Sequence, residues 1–529
     1  LHLSQLTALT LSSSITYHTM DLNLPWIPQY SQDATGDSPS VDKESVYYVW
    51  SLALTVIFTV SVYLFEGLLD DRQKRAYQKT TFPRELEATV AEIDRERLAK
   101  SKSTDSDNNN SKPTTTLQSD DDDKTKKDDN DDTKSDLSKP LLPQLKDKFK
   151  KSQQYGLDKI NFGMIASTYD TLEGVAFLLL GFLPYTWDLA AQMGHDWFGW
   201  SQEADEIKIS LIFLAIVTVI GTITSLPFEL YSTFQIERKH GFNKQTMGLF
   251  FSDKLKSLAL TFIIGGPFVA LLLWIIKAGG DKFYLYVWIF LFCFSLFMMT
   301  IVPTVIMPLF NKYEPLPEGS LKTRVFELAG QLKYPLTKLF VMDGSKRSAH
   351  SNAFMFGFGS NRRIVLFDTL LEQVKEDEIL AILGHELGHW KLGHTLSNFW
   401  VTQVYFGAAF YFFSLTFGAT ELYAAFGFTQ FTPTLVALLL FFQTLWAPVD
   451  KILSFLLTLF SRHNEFAADK FSVDLGMSQM LQSGLCKIHL ENLGAMAPDA
   501  WYSTYHYSHP PLVERLAAMM ALDQKRKQA

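Results

Sequence analysis

Long apolar runs alternate with polar ones along this 529-residue chain, and seven of the runs are long enough to cross a bilayer as helices. They cover 46–68, 169–187, 207–228, 258–276, 283–309, 397–417 and 433–460. The second is the weakest, with Asp170 and Glu173 near one end. The seventh is interrupted near Pro448, Asp450 and Lys451, and a proline inside a helix kinks it. Charges within a span face the protein interior or a water-filled cavity. The pattern predicts an all-α membrane protein with seven transmembrane helices.

Polar segments separate the spans. An extension covers 1–45; its first 19 residues lack a basic n-region, so no cleaved signal peptide is read there, and Met20 reads as a start site. The loop over 69–168 opens with a charged helix over 83–100. Its middle, 101–138, is so rich in Asp, Lys, Ser, Asn and Thr that it cannot bury enough surface to fold. It also carries an Asn109-Asn110-Ser111 glycosylation sequon. The segment 311–396 predicts a Ser-capped helix over 320–333, a strand over 338–342, and a hairpin of 352–357 with 363–367 around Gly359-Ser360-Asn361. A helix over 375–394 follows. The segment 461–529 reads as helical.

Lys and Arg placement orients the spans. Arg72, Lys74, Arg75, Lys79 and Arg84 follow the first span, and Arg238, Lys239, Lys244 and Lys254 follow the third. The loops 188–206 and 418–432 hold no Lys or Arg; Lys277 and Lys282 are the one exception. This places 1–45 in the lumen and 69–168, 311–396 and 461–529 in the cytosol. Composition adds exclusions. The net charge of −8 comes partly from the acidic stretch, and no basic patch points to nucleic acid. Two cysteines, Cys293 and Cys486, rule out a disulfide framework or a thiolate metal site.

The candidate chemistry lies in the helix over 375–394. His385 and His389 are four residues apart, so both imidazoles face one way and can share an ion. Glu386 sits about 100° round the helix, where it can act on water without being a ligand. His394 lies about 140° from His389 on an unbroken helix and cannot share that ion. A catalytic zinc needs three protein ligands and one open position. Glu465 supplies the third, and Asp469, one turn on, accepts a hydrogen bond that fixes a ligand imidazole. The same pair also reads as an ordinary charged helix face. His509 and Arg515, around a His509-Pro510-Pro511 turn, are candidate donors to an oxyanion. Asn352 and Ala353 lie on a strand along which an extended substrate could pair.

With these residues in view, the chain resembles the type I CAAX prenyl protease family. The matching stretches are Tyr63-Leu64-Phe65-Glu66-Gly67, Glu237 to Lys244, His350-Ser351-Asn352-Ala353, His385-Glu386-Leu387-Gly388-His389, Glu465 to Asp469, and His509-Pro510-Pro511. The resemblance implies a hollow barrel of seven helices around a water-filled chamber, with a small α+β, gluzincin-like zinc protease domain on the cytosolic side. It implies one Zn2+ per chain on His385, His389 and Glu465, with Glu386 as acid/base and Asn352, His509 and Arg515 near the substrate backbone and the oxyanion. It implies residence in the endoplasmic reticulum membrane and the inner nuclear membrane. The implied substrate is a prenylated protein or peptide met at the membrane lipid, which loses its last three residues and in some cases receives a second, upstream cut. The residues alone leave open a quality-control zinc protease acting on unprenylated or translocation-stalled chains. A seven-helix transporter or receptor with an incidental metal site is the non-enzymatic alternative; a relic of that kind has no use for Glu386. The oligomeric state is not legible.

Overall fold

The computed structural model describes residues 46–109, 139–359 and 361–528. The extension before residue 46, the glycosylation sequon at its second and third residues, and most of the acidic stretch lie outside the described residues, as does Ser360 of the expected turn. In chain order the helices and strands are α1 (Val46–Tyr77), α2 (Arg84–Asn109), α3 (Leu141–Leu179), α4 (Phe182–Phe198), α5 (Glu206–Glu237), α6 (Met247–Ala278) and α7 (Gly280–Leu309). Then come β1 (Tyr313–Pro315), α8 (Ser320–Gln331), β2 (Leu336–Met342), β3 (Ala353–Phe358), β4 (Asn361–Phe367), α9 (Asp368–Gln373) and α10 (Glu376–Lys391). The chain ends with α11 (His394–Thr416), α12 (Thr420–Ala424), α13 (Thr434–Asp474), α14 (Ser478–Glu491), α15 (Ala500–His506) and α16 (Leu512–Gln528).

Among the described residues, five helices are long and apolar enough to cross a membrane: α1 from Trp50, α5, α6, α7 and α13. A sixth span exists if the bent pair α3 and α4 counts as one. That pair replaces the expected straight run over 169–187. Gly181 takes a left-handed φ of 71°, open to glycine at no steric cost, and the two helices meet at 67°. α11 matches the expected sixth run in place, but Thr402, Gln403, Tyr405 and Ser414 dilute its apolar character. The seventh run is not broken at Pro448. The helix continues through a π turn, Phe442–Trp446, where the carbonyl four residues before the proline has no N–H to meet.

Two cores divide the molecule. One packs α4, α5, α6, α7, α11 and the first half of α13 around Phe213, Phe413, Tyr423, Phe426 and Phe441. The other joins α2, the start of α3, α8, the sheet, α10, α14 and α16 around Val325, Ile364, Leu366, Leu387, Leu481 and Leu516. The long helices α3 and α13 enter both: Leu145 and Val473 lie in the second core, Leu178 and Trp446 in the first.

Basic residues at the end of α1 and just past α5 are paired within the protein, the latter beside a small third cluster of Tyr155, Ile236 and Phe242. Arg72 pairs with Asp499 at 3.0 Å, and Lys239 with Asp158 at 2.6 Å. At the opposite end, buried Glu206 accepts from the Thr434 N–H at 2.7 Å and pairs with Lys277. Lys277, one of the two lysines against the charge pattern, is therefore neutralised within the protein.

The four-stranded sheet has the order β1-β2-β4-β3, with β2 and β4 parallel and the β3–β4 hairpin antiparallel as expected. At Gly357, φ is 112° and an added Cβ would stand 2.1 Å from the Asn361 carbonyl oxygen, so the hairpin closes only on glycine. Two expectations change. Gly319 occupies the N-cap of α8, while the Ser320 hydroxyl donates to Glu376 at 2.6 Å and ties α8 to α10. The polar run expected to be unfolded from residue 101 is helical as far as Asn109. Asp94 on α2 accepts from the N–H groups of Leu141 and Leu142, both at 2.9 Å, which caps α3 and draws together the two ends of the segment between them.

Candidate metal centre

Two helices build the centre. α10 is anchored by a buried network in which Glu378 accepts from Ser483 at 2.6 Å and pairs with Lys487 of α14 at 2.7 Å. Glycines precede both histidines. An added Cβ at Gly388 would lie 3.0 Å from the Phe471 ring, and one at Gly384 would lie 3.2 Å from the Met477 sulfur. The pair lets α10 approach α13 closely, and Ser472 seals the contact by donating to the Ala381 carbonyl at 3.1 Å. Close approach carries Glu465 of α13 up to the two imidazoles.

His385, His389 and Glu465 each offer one ligand atom within 4.8 Å of the others, and no other such group of three occurs among the described residues. The Nε2 atoms of the histidines are 3.1 Å apart. Glu465 Oε1 stands 3.2 Å from His389 Nε2, and Oε2 stands 3.5 Å from His385 Nε2. Donors about 2.0–2.1 Å from one tetrahedral zinc lie roughly 3.3 Å apart, so the residues present fit that ion. Glu465 Oε2 is buried without a hydrogen-bond partner, an orphaned acceptor of the kind a cation satisfies.

The atoms behind the ligands are equally placed. His385 Nδ1 is 2.8 Å from Asp469 Oδ1, as expected for the residue one turn past Glu465. Arg515 grips Asp469 through Nε at 2.8 Å and Nη2 at 2.6 Å, and its Nη1 is 3.3 Å from Glu465 Oε2. The sequence reading set Arg515 at the oxyanion. The structure points its guanidinium at the two carboxylates, because a buried cation must face buried anions. His389 Nδ1 meets His394 Nδ1 at 2.9 Å. The helix breaks at Gly393, φ 76°, so His394 is not 140° away but folds back over His389. Sequence reasoning missed this contact; the Gly393 beside it was the available signal.

Glu386 and His509 lie beside the ligands. Burial raises the Glu386 carboxyl above its ordinary value, opposed by His385, His389 and Arg515. His509 Nε2 lies 3.4 Å from Glu465 Oε1, with its side chain 66% exposed. Asn352 immediately precedes β3, the strand at the sheet's edge. The Phe367 N–H donates to the Asn352 carbonyl at 3.1 Å, so by antiparallel alternation the Ala353 main chain faces the open edge. The Asn352 side chain accepts from the Ala353 N–H at 2.8 Å, so of the Ala353 main chain the carbonyl is the group left for a partner at that edge.

Fold and centre together define a membrane-embedded metalloendopeptidase. Residues 137–312 match the family model described as CAAX prenyl protease N-terminal, five membrane helices, and residues 315–523 match that of peptidase family M48. The CAAX prenyl protease 1 homolog of Homo sapiens is 43% identical over 425 residues, covering 73% of this chain and 89% of the human one. That of Oryza sativa is 46% identical over 393 residues, covering 74% and 92%. The crystal structure of S. mikatae Ste24p superposes with a TM-score of 0.74 at 31% identity, over 88% of this chain and 98% of that one. The chain belongs to the M48 peptidases of the CAAX prenyl protease 1 family.

Proposed function

We infer that this enzyme removes the last three residues of prenylated proteins by hydrolysing the peptide bond after the modified cysteine, with a second upstream cut in some substrates. The observation that carries the reading is the convergence of His385, His389 and Glu465 at the foot of α13, a helix that is itself a membrane span. A prenyl chain binds membranes only marginally, so its bearer is met at the bilayer surface, where this site would stand. The names of the human and rice relatives give the substrate class.

His385, His389 and Glu465 would hold one zinc ion, which when bound polarises the scissile carbonyl and lowers the pKa of water to about 7. Glu386 takes a proton from the attacking water as the new C–O bond forms, and returns it to the amine nitrogen as the carbonyl re-forms and the C–N bond breaks, which gives a carboxyl group and a free amine. His509 donates to the carbonyl oxygen as negative charge gathers there. Asn352 and the outward main chain of Ala353 align the substrate as an added strand on β3.

Seven helices around a chamber complete the reading. The outward faces of α1 and α7, where Leu54, Ile57, Leu64, Leu285, Ile289 and Phe297 are exposed, support helices whose outer sides meet lipid. The Lys and Arg residues that follow the first and third expected spans, with none in 188–206 or 418–432, support a site facing the cytosol. The reading places the enzyme in the endoplasmic reticulum and inner nuclear membranes. A farnesylated tail peptide and its unprenylated twin, assayed with and without chelator, test the proposal. Chelator-sensitive cleavage of the first alone is expected. Equal rates on both would replace it with the quality-control protease.

A further inference from the structure

We propose that His394 is a positioning residue for the metal centre: it fixes His389 as Asp469 fixes His385. The inference rests on His389 being a ligand. A ligating imidazole needs its second ring nitrogen held, because that bond sets the tautomer and the ring's direction. For His385 the partner is Asp469 at 2.8 Å, itself gripped by Arg515. Among the described residues, His389 has no carboxylate paired with it on that side. Its Nδ1 meets only the Nδ1 of His394, at 2.9 Å, with the rings edge to face at 71°. With Nε2 of His389 committed to the ion, the proton resides on Nδ1 and is donated to the Nδ1 lone pair of His394, which then carries its own hydrogen on Nε2.

The backbone is built for the contact. α10 stops at Lys391, and Gly393 takes a φ of 76° that ordinary residues rarely adopt. α11 starts at His394 itself. A continuous helix would carry this side chain away from the centre; the glycine turn returns it. The two imidazoles therefore have different anchors, an anionic one on His385 and a neutral one on His389. A second carboxylate would add negative charge beside Glu465 and Asp469.

The test uses the full-length enzyme in detergent and reads zinc affinity by competition with a chromogenic chelator, beside thermal unfolding. In His394→Asn, Oδ1 stands near the place of the lost Nδ1, so an acceptor remains. In His394→Phe the ring volume remains and the acceptor is gone. The expected result is a 10- to 100-fold loss of zinc affinity in His394→Phe, near-recovery in His394→Asn, and unfolding midpoints close to that of the parent. Unchanged affinity in His394→Phe overturns the proposal. So does equal loss in both variants, since a packing role would not respond to the acceptor. If His394→Phe fails to fold, Gly393→Ala is the alternative: it strains the turn while keeping both histidines, and is expected to weaken zinc in the same range, with unchanged affinity again overturning the proposal. His389→Ala is the control. If it binds zinc as well as the parent, the ligand set fails rather than the positioning role.

Discussion

Glu386 and its neighbours divide the labour one side chain at a time. Glu386→Gln keeps the shape of the site and removes the base, so peptidase activity should fall by about 10²- to 10⁴-fold while metal content stays that of the parent, measured by metal analysis beside a cleavage assay. A second residue sets a pH limit on stability. His489 is sealed in α14 beneath Gly494, where an added Cβ would stand 2.4 Å from the ring, and its Nε2 has no partner. Burial lowers its pKa from about 6.5 to about 4, against the pull of the Ala495 and Gly494 backbone. The unfolded chain therefore binds more protons between those values. The contribution is complete above pH 6.5 and drains away as the pH falls towards 4, on the order of 3 kcal/mol in all. Unfolding midpoints at pH 7.5 and pH 5 should show this loss in the parent and a smaller one in His489→Gln. His385, His389 and Glu386 were legible in the sequence because their spacing is a property of one helix, whereas Glu465 comes from α13 and its distance in sequence carries no such signal. Arg515 and His394 were not. Their roles depend on which buried anions face the guanidinium and on one left-handed glycine.

Helices and strands place those residues, and their junctions are where the structure can be stressed. Gly388 holds α10 so close to α13 that an added Cβ would crowd the Phe471 ring at 3.0 Å. Gly388→Ala should cost about 1–3 kcal/mol and weaken zinc, because Glu465 retreats as the helices part. Trimming Phe471 to leucine in the same chain should restore part of both, and a full-strength centre in Gly388→Ala alone would refute the account. The Glu378–Lys487 pair behind α10 behaves differently. Lys487→Met strands a buried carboxylate and should cost about 3–5 kcal/mol, whereas replacing both partners with apolar residues should recover most of it, as read from unfolding midpoints. Periodicity found the long helices and the hairpin well. It missed the 67° bend at Gly181 and the π turn before Pro448, since hydropathy averages over a run and does not register a single dihedral or a widened turn.

At the level of the whole molecule, two cores share two long helices. Asp94 clamps α2 to the start of α3, so the described residues on either side of the polar insertion are tied together without it. Replacing residues 110–138 with a short Gly/Ser linker should leave cleavage and zinc affinity within about twofold of the parent, whereas Asp94→Ala should cost roughly 1 kcal/mol through loss of the cap. The family, and with it the class of enzyme, was visible from a few motifs spread over the chain, yet no motif announces how the two cores are joined. α13 joins them. Its first half is packed among membrane helices, and Glu465 hangs from its far end. Bilayer thickness thus becomes a mechanical input: lipids too short or too long for this rod tilt it, and a tilted rod swings the carboxylate against two imidazoles rooted elsewhere. The acyl length of the surrounding lipid is a dial on the metal's grip.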